Sequence, residues 1–115
     1  MSTMDVTCIN QNVNITKHLT TLDISGSYNN IIIGNQVTRA NICGSNNKIL
    51  IKNQITSLDI SGSDNKINAV DQNCYFTHLD ISGNNNILNL NQKCANVYKN
   101  VSGYNNKFIV DGKEN

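Results

Sequence analysis

One pentapeptide keeps returning through this chain, and it limits what the chain can fold into. Leu22-Asp23-Ile24-Ser25-Gly26 recurs as Leu58-Asp59-Ile60-Ser61-Gly62 and again as Leu79-Asp80-Ile81-Ser82-Gly83. Looser copies are Ala40-Asn41-Ile42-Cys43-Gly44 and Lys99-Asn100-Val101-Ser102-Gly103. The glycines at 26, 44, 62, 83 and 103 lie 18, 18, 21 and 20 residues apart. Eighteen residues before Asp23 stands Asp5, which makes Met4-Asp5-Val6-Thr7-Cys8 a degenerate first copy. Six units then cover nearly the whole chain, and a fixed period of this length marks a repeat architecture.

Each unit reads as two short strands. The first follows Thr20-x-Leu22-x-Ile24 and its copies from Thr38, Thr56 and Thr77. The second is Ile31-x-Ile33, then Ile49-x-Ile51, Ile67-x-Ala69, Leu88-x-Leu90 and Phe108-x-Val110, with Val13-x-Ile15 in the first unit. Alternation at spacing two is a strand signal. It predicts that the Thr20, Thr38, Thr56 and Thr77 column points inward with Leu22 and Ile24. A further apolar position, Leu19, Val37, Ile55 and Phe76, is expected to close the cross-section. Helices are excluded by this spacing and by the abundance of Asn, Gly and β-branched residues. An array of hairpins with Gly-x-x-Asn turns is a competitor. However, hairpins gain nothing from one residue type repeated every 18 positions. Stacked coils do gain, because each side chain meets its own copy about 4.8 Å away.

The columns favour coils. Three residues after the glycine position stand Gln11, Asn29, Asn47, Asn65, Asn86 and Asn106. Asn tolerates the left-handed backbone region, and stacked amides can hydrogen-bond along a column. Asn29, Asn47, Asn65, Asn86 and Asn106 are therefore expected to form a structural ladder. The chain holds 23 Asn and 15 Ile, and its Ile content argues against disorder.

The pattern apolar-x-Ile-Ser-Gly-x-x-Asn-x-Ile resembles the coil repeats of right-handed parallel β-helix proteins, over residues 4–110. The resemblance implies an all-β, single-domain β-solenoid over 1–115, with about six coils of 18–21 residues starting near 2, 20, 38, 56, 77 and 97. The short coils are similar to the small β-helix domains of cyclase-associated protein and tubulin cofactor C. A left-handed β-helix of three hexapeptides per coil is the alternative. The architecture hosts many unrelated activities, so it does not by itself name one.

Charge and composition exclude some classes. Nine basic against eight acidic residues give a net charge of +1, which is too little for general electrostatic binding to nucleic acid. No apolar run approaches the roughly 18–20 residues of a membrane span. Met1 to Asn10 lacks a basic segment followed by an apolar stretch, so no secretory signal and an intracellular (cytoplasmic or cytoskeletal) place are expected. Abundant Asn, Ile and Lys also fit an AT-rich genome, as in a protist or a large virus.

Several columns are candidate sites. Beside the core Ile stand Asp5, Asp23, Asn41, Asp59, Asp80 and Asn100. Stacked carboxylates repel by roughly 1 kcal/mol in water. Asp5, Asp23, Asp59 and Asp80 are weak candidates for a cation site, since Ca²⁺ takes six to eight oxygens and Asn can supply some. A solvated column is the plainer reading, and no metal or cofactor is expected. Lys48, Lys66 and Lys107 lie four after the glycine, where they discourage lateral strand pairing. The outward residues Thr21, Arg39, Ser57, His78 and Tyr98 are irregular. That irregularity argues against ice binding, as does an inward Thr column. It favours a specific protein surface, with Arg39, His78, Tyr98 and Tyr104 as its candidates.

Cys8, Cys43, Cys74 and Cys94 form no Cys-x-x-Cys motif. Cys74 and Cys94 fall in the inserted turns of adjacent coils, so a disulfide or partial metal site is open to them; free thiols are the default in a reducing compartment. His18 and His78 differ in repeat phase, which argues against a shared metal site. No Gly-x-Ser-x-Gly, P-loop or His-Glu-x-x-His motif occurs. The nearest approach to a lyase-like site is Arg39 with Asp23, Asn41 and Asp59, and short coils offer no cleft walls. Two Asn-x-Ser/Thr triplets, at Asn14 and Asn100, matter only in a secreted protein.

The ends of a solenoid carry unpaired backbone. The first coil starts within four residues of Met1, few residues follow Val110, and Lys99 replaces an inward Leu. A stack of roughly 29 Å is therefore expected to be covered at one end or side by another copy or another protein. The function expected is non-enzymatic: a rigid structural or scaffolding block, docked through protein partners in a larger assembly. The alternatives are a carbohydrate- or cation-binding module and, remotely, a small polysaccharide-acting enzyme. Protein partners or self-association are expected, without nucleic acid or membrane insertion.

Overall fold

Each repeat unit lays down two strands, and the units stack. The computed structural model describes residues 3–69, 76–90, 98–110 and 113–114. The first units contain β1 (Thr3–Val6), β2 (Asn12–Ile15), β3 (Leu19–Ile24) and β4 (Asn30–Ile33). The middle ones contain β5 (Val37–Ile42), β6 (Lys48–Ile51), β7 (Ile55–Ile60) and β8 (Lys66–Ala69). The last contain β9 (His78–Ile81), β10 (Ile87–Leu90), β11 (Tyr98–Val101) and β12 (Lys107–Val110), followed by the two-residue β13 (Lys113–Glu114).

Strands β1-β3-β5-β7-β9-β11 form one parallel sheet, and the even strands, with β13 added at one edge, form a second. In both, the register joins each residue to its repeat copy: Leu22 to Ala40, Ala40 to Leu58, Leu58 to Leu79. This is a parallel β-solenoid of about five turns, and the hairpin array is excluded. The described residues include no helix.

The core is a set of apolar columns. Val6, Ile24, Ile42, Ile60 and Ile81 are buried in one, and Ile31, Ile49, Ile67, Leu88 and Phe108 in another. Leu19, Val37, Ile55 and Phe76 are also buried and close the third side, as their repeat position suggested. Burying a large aliphatic side chain is worth about 1.5–3 kcal/mol, so these columns supply the main favourable term.

The Thr column corrects a sequence expectation. Thr38, Thr56 and Thr77 are exposed and Thr20 is half-buried. The buried residues of β3 are Leu19, Leu22 and Ile24, at spacings of three and then two. The chain turns a corner between the first two of these, so Thr20 and Thr21 both face outward. Alternation holds only after that corner, along Leu22-Asp23-Ile24.

The ends are also different from expectation on one side. β13 runs antiparallel on β12, pairing Ile109 with Glu114 and Val110 with Lys113. It covers the outer edge of the second sheet with the chain's own backbone. Lys99 has its backbone in β11, while the placement of its side chain falls outside the description.

Candidate functional site

The turn between the two strands of each coil organises everything outside the core. Its first element is glycine, and its last is the Asn column. Asn29, Asn47, Asn65 and Asn86 are buried polar side chains, so each needs partners. Each finds them in neighbouring coils. Asn47 donates its side-chain amide to the carbonyl oxygen of Gly26 at 2.9 Å, and its Oδ1 accepts the backbone N–H of Asn29 at 3.0 Å. Asn65 and Asn86 repeat this toward Gly44 and Gly62. Asn106 continues it to Gly83 at 2.7 Å. No described buried side-chain polar atom lacks a partner.

The left-handed backbone position lies one residue before this column, not in it. Asn10, Tyr28, Asn46, Asp64, Asn85 and Asn105 all have φ between 57° and 60°. The buried Asn residues therefore serve through their amides, while their neighbours make the bend. A second set of Asn turns went unnoticed in the sequence. Asn35 and Asn53 accept the backbone N–H of Gln36 at 2.7 Å and of Gln54 at 2.8 Å. The repeated Asn-Gln-Val/Ile triplet, 18 residues apart, was the available signal.

With the backbone held this way, the outward columns become fixed arrays. On the first sheet, register stacks Asp5, Asp23, Asn41, Asp59, Asp80 and Asn100. Asn41 donates its amide to Asp23 at 2.8 Å, which relieves one gap in the column. Asp59 and Asp80 are direct neighbours with no Asn between them. Burial first, and then the charge of Asp80, raise the Asp59 carboxyl above its ordinary value. Among the described residues, no three His, Cys, Asp or Glu side chains gather as a metal-binding group.

The adjacent column on the same sheet runs Thr21, Arg39, Ser57, His78 and Tyr98. Arg39 and His78 are exposed and lie two coils apart, about 10 Å along the stack. Tyr98 takes the next place by backbone register; its side chain is outside the description. Tyr104 is 68% exposed but belongs to a different column, bridged to Asn84 at the turn. The four residues expected to share one surface thus divide between the sheet and the turn.

The second sheet carries the opposite charge. Lys48, Lys66, Ile87 and Lys107 stack in register, and the three lysines are exposed. Beside them run Ile32, Leu50, Asn68, Asn89 and Ile109, all half-buried. Asn89 donates to Asn68 at 2.7 Å. One sheet face is therefore mainly acidic and the other basic with apolar side chains interspersed.

Of the cysteines, Cys8 and Cys43 are free and exposed. Ser61 donates its hydroxyl to the Cys43 sulfur at 3.3 Å. Cys74 and Cys94, and with them any pairing, lie outside the described residues. The hollow at the first coil, of about 310 Å³, is lined by Thr3, Met4, Asn14, Ile15, Thr16, Lys17 and Leu19. Its one charged side chain is Lys17. No helix is long and apolar enough to cross a membrane among the described residues.

Comparison of the chain with known protein families, with curated proteins and with solved structures finds no match.

Proposed function

We propose that this chain is a non-enzymatic structural block whose outward faces dock protein partners within a larger assembly. One observation carries the reading: the Asn ladder and the coil-to-coil register hold two outward faces of opposite charge on one stack. Complementary charge of that kind steers partners and sets their orientation more than it adds affinity. The second-sheet face also presents Ile32, Leu50, Ile87 and Ile109 between its polar residues, a mixture suited to a partner surface. The free thiols of Cys8 and Cys43 fit an intracellular, reducing place of work.

The test is the native size of the chain in extract of the cell that makes it. A structural block migrates far above 12.7 kDa and falls toward that mass when salt is raised. Migration at monomer size under gentle, low-salt extraction overturns the reading. A second reading, a cation held between Asp59 and Asp80, is supported by their direct pairing. It predicts that millimolar calcium raises the melting temperature and that Asp80→Asn abolishes the rise. An unchanged melt removes it.

A further inference from the structure

The stack has a direction, and the direction is written in its turns. At Gly26, Gly44, Gly62, Gly83 and Gly103 the turn glycine faces the coil before it. A Cβ at Gly44 would collide with the carbonyl oxygen of Gly26, one at Gly62 with that of Gly44, and one at Gly83 with that of Gly62. Gly26 faces the Cys8 carbonyl and Gly103 the Gly83 carbonyl in the same way. The Asn three residues on points in the same direction, its amide reaching back to that same carbonyl. A coil therefore needs Gly-x-x-Asn only when another coil lies beneath it.

The first coil has neither residue. Cys8 stands in the glycine place and Gln11 in the Asn place. The backbone there is that of the other turns: Asn10 has φ 60°, Ile9 bridges to Ser27, and the Cys8 carbonyl accepts the N–H of Ser27 at 3.3 Å. On this matching backbone a Cβ at Cys8 takes the direction of each glycine's missing Cβ, toward the place of a preceding coil, while its Sγ donates to Asn29 Oδ1 of the following coil at 3.6 Å. Gln11 does not reach in that direction either; its side-chain amide donates to Ile9 of its own turn at 3.4 Å.

We propose that Cys8 is a steric stop that keeps the first coil of one copy from seating on the last coil of another. In such a seating the Cys8 Cβ would meet the Gly103 carbonyl of the other copy, as a Cβ at Gly103 would meet the Gly83 carbonyl within one chain. Head-to-tail seating of identical subunits does not close, and it generates open fibres. On the second sheet β13 has a matching effect, occupying the edge of β12. The proposal concerns contacts between copies, and it stands whether or not the docking faces above have partners.

The test uses the full chain under reducing conditions, with Lys113→Pro and Glu114→Pro introduced to unpair β13. In that background, Cys8→Gly with Gln11→Asn is expected to give end-to-end oligomers. Their mass by light scattering should rise at least threefold over a tenfold concentration range. Cys8→Ala with Gln11→Asn keeps the Cβ, and is expected to stay at the monomer mass, as is the parent. A glycine variant that melts cooperatively yet stays monomeric overturns the proposal. So does an alanine variant that assembles as readily as the glycine one. Should the double glycine variant not fold, Cys8→Gly alone carries the same expectation and the same refutation.

Discussion

Asn47 holds the carbonyl oxygen of Gly26, 21 positions earlier, with its side-chain amide at 2.9 Å. The same side chain accepts the backbone N–H of Asn29 at 3.0 Å. One buried residue thus satisfies two backbone groups that the turn would otherwise strand. Asn65 does the same and also donates to Asn86 at 3.1 Å. Asn65→Ala should cost about 2–4 kcal/mol, because it leaves a buried donor and a buried acceptor unmet. Urea unfolding of the pair measures this. Asn30→Ala, at an exposed site, should change stability by less than about 0.5 kcal/mol.

At Gly26, Gly44, Gly62 and Gly83 the turn column needs glycine for space; Gly103 adds a positive φ of 77°. Gly62 and Gly34 make the comparison. A Cβ on Gly62 would overlap the Gly44 carbonyl, which is locked in the ladder and cannot withdraw. A Cβ on Gly34, at an exposed corner, would stand 3.2 Å from the carbonyl oxygen of Ile15, close enough for a small shift to absorb. Gly62→Ala is therefore expected to lose about 3 kcal/mol or more, and Gly34→Ala less than about 1 kcal/mol. Thermal melts of the two variants settle the difference; similar losses in both would contradict the steric account.

The period was legible because it repeats, and features that do not repeat were hidden. Eighteen-residue spacing of Leu-Asp-Ile-Ser-Gly placed Ile24, Ile42 and Ile60 in one buried column, where they are found. The Asn ladder was legible for the same reason. Thr20 was misread because alternation presumes a straight strand, and Leu19 and Leu22 are both buried across a corner. β13 was hidden since Lys113-Glu114 has no copy elsewhere in the chain. The Asp column was readable from register alone. Its difference between Asp23, relieved by Asn41, and Asp59, pressed by Asp80, required knowing which copies are neighbours.

Tyr28 occupies a position that suits Asn. Its φ is 59°, matching the 57° of Asn46 and Asp64 in the next turns. Left-handed backbone costs an ordinary L-residue roughly 1–2 kcal/mol, and less for Asn or Gly. The ring is 61% exposed, so little packing offsets that cost. Tyr28→Asn should raise stability by about 0.5–1 kcal/mol, and Tyr28→Val should lower it. Melting temperatures of the two variants should move in opposite directions from the parent.

Asp59 sets a pH dependence whose sign follows from its surroundings. Burial and the Asp80 carboxylate raise its pKa in the fold above the unfolded value. The folded state then holds this proton more tightly than the unfolded chain. The group's stabilising contribution is complete below the unfolded pKa of about 4 and is lost as pH rises through the higher folded value. At neutral pH the ionised Asp59 is a net cost. Asp59→Asn, which copies Asn41 and Asn100 of the same column, should remove that cost. Solvent screening keeps the gain at pH 7 to a few tenths of a kcal/mol, at most about 1. Urea unfolding across acid to neutral pH should show parent and variant nearly equal in acid, with the gap opening as pH rises. Added salt should narrow the gap, since the Asp59–Asp80 repulsion is partly screened. A gap that is flat in pH would mean that Asp59 acts through packing and not through its charge.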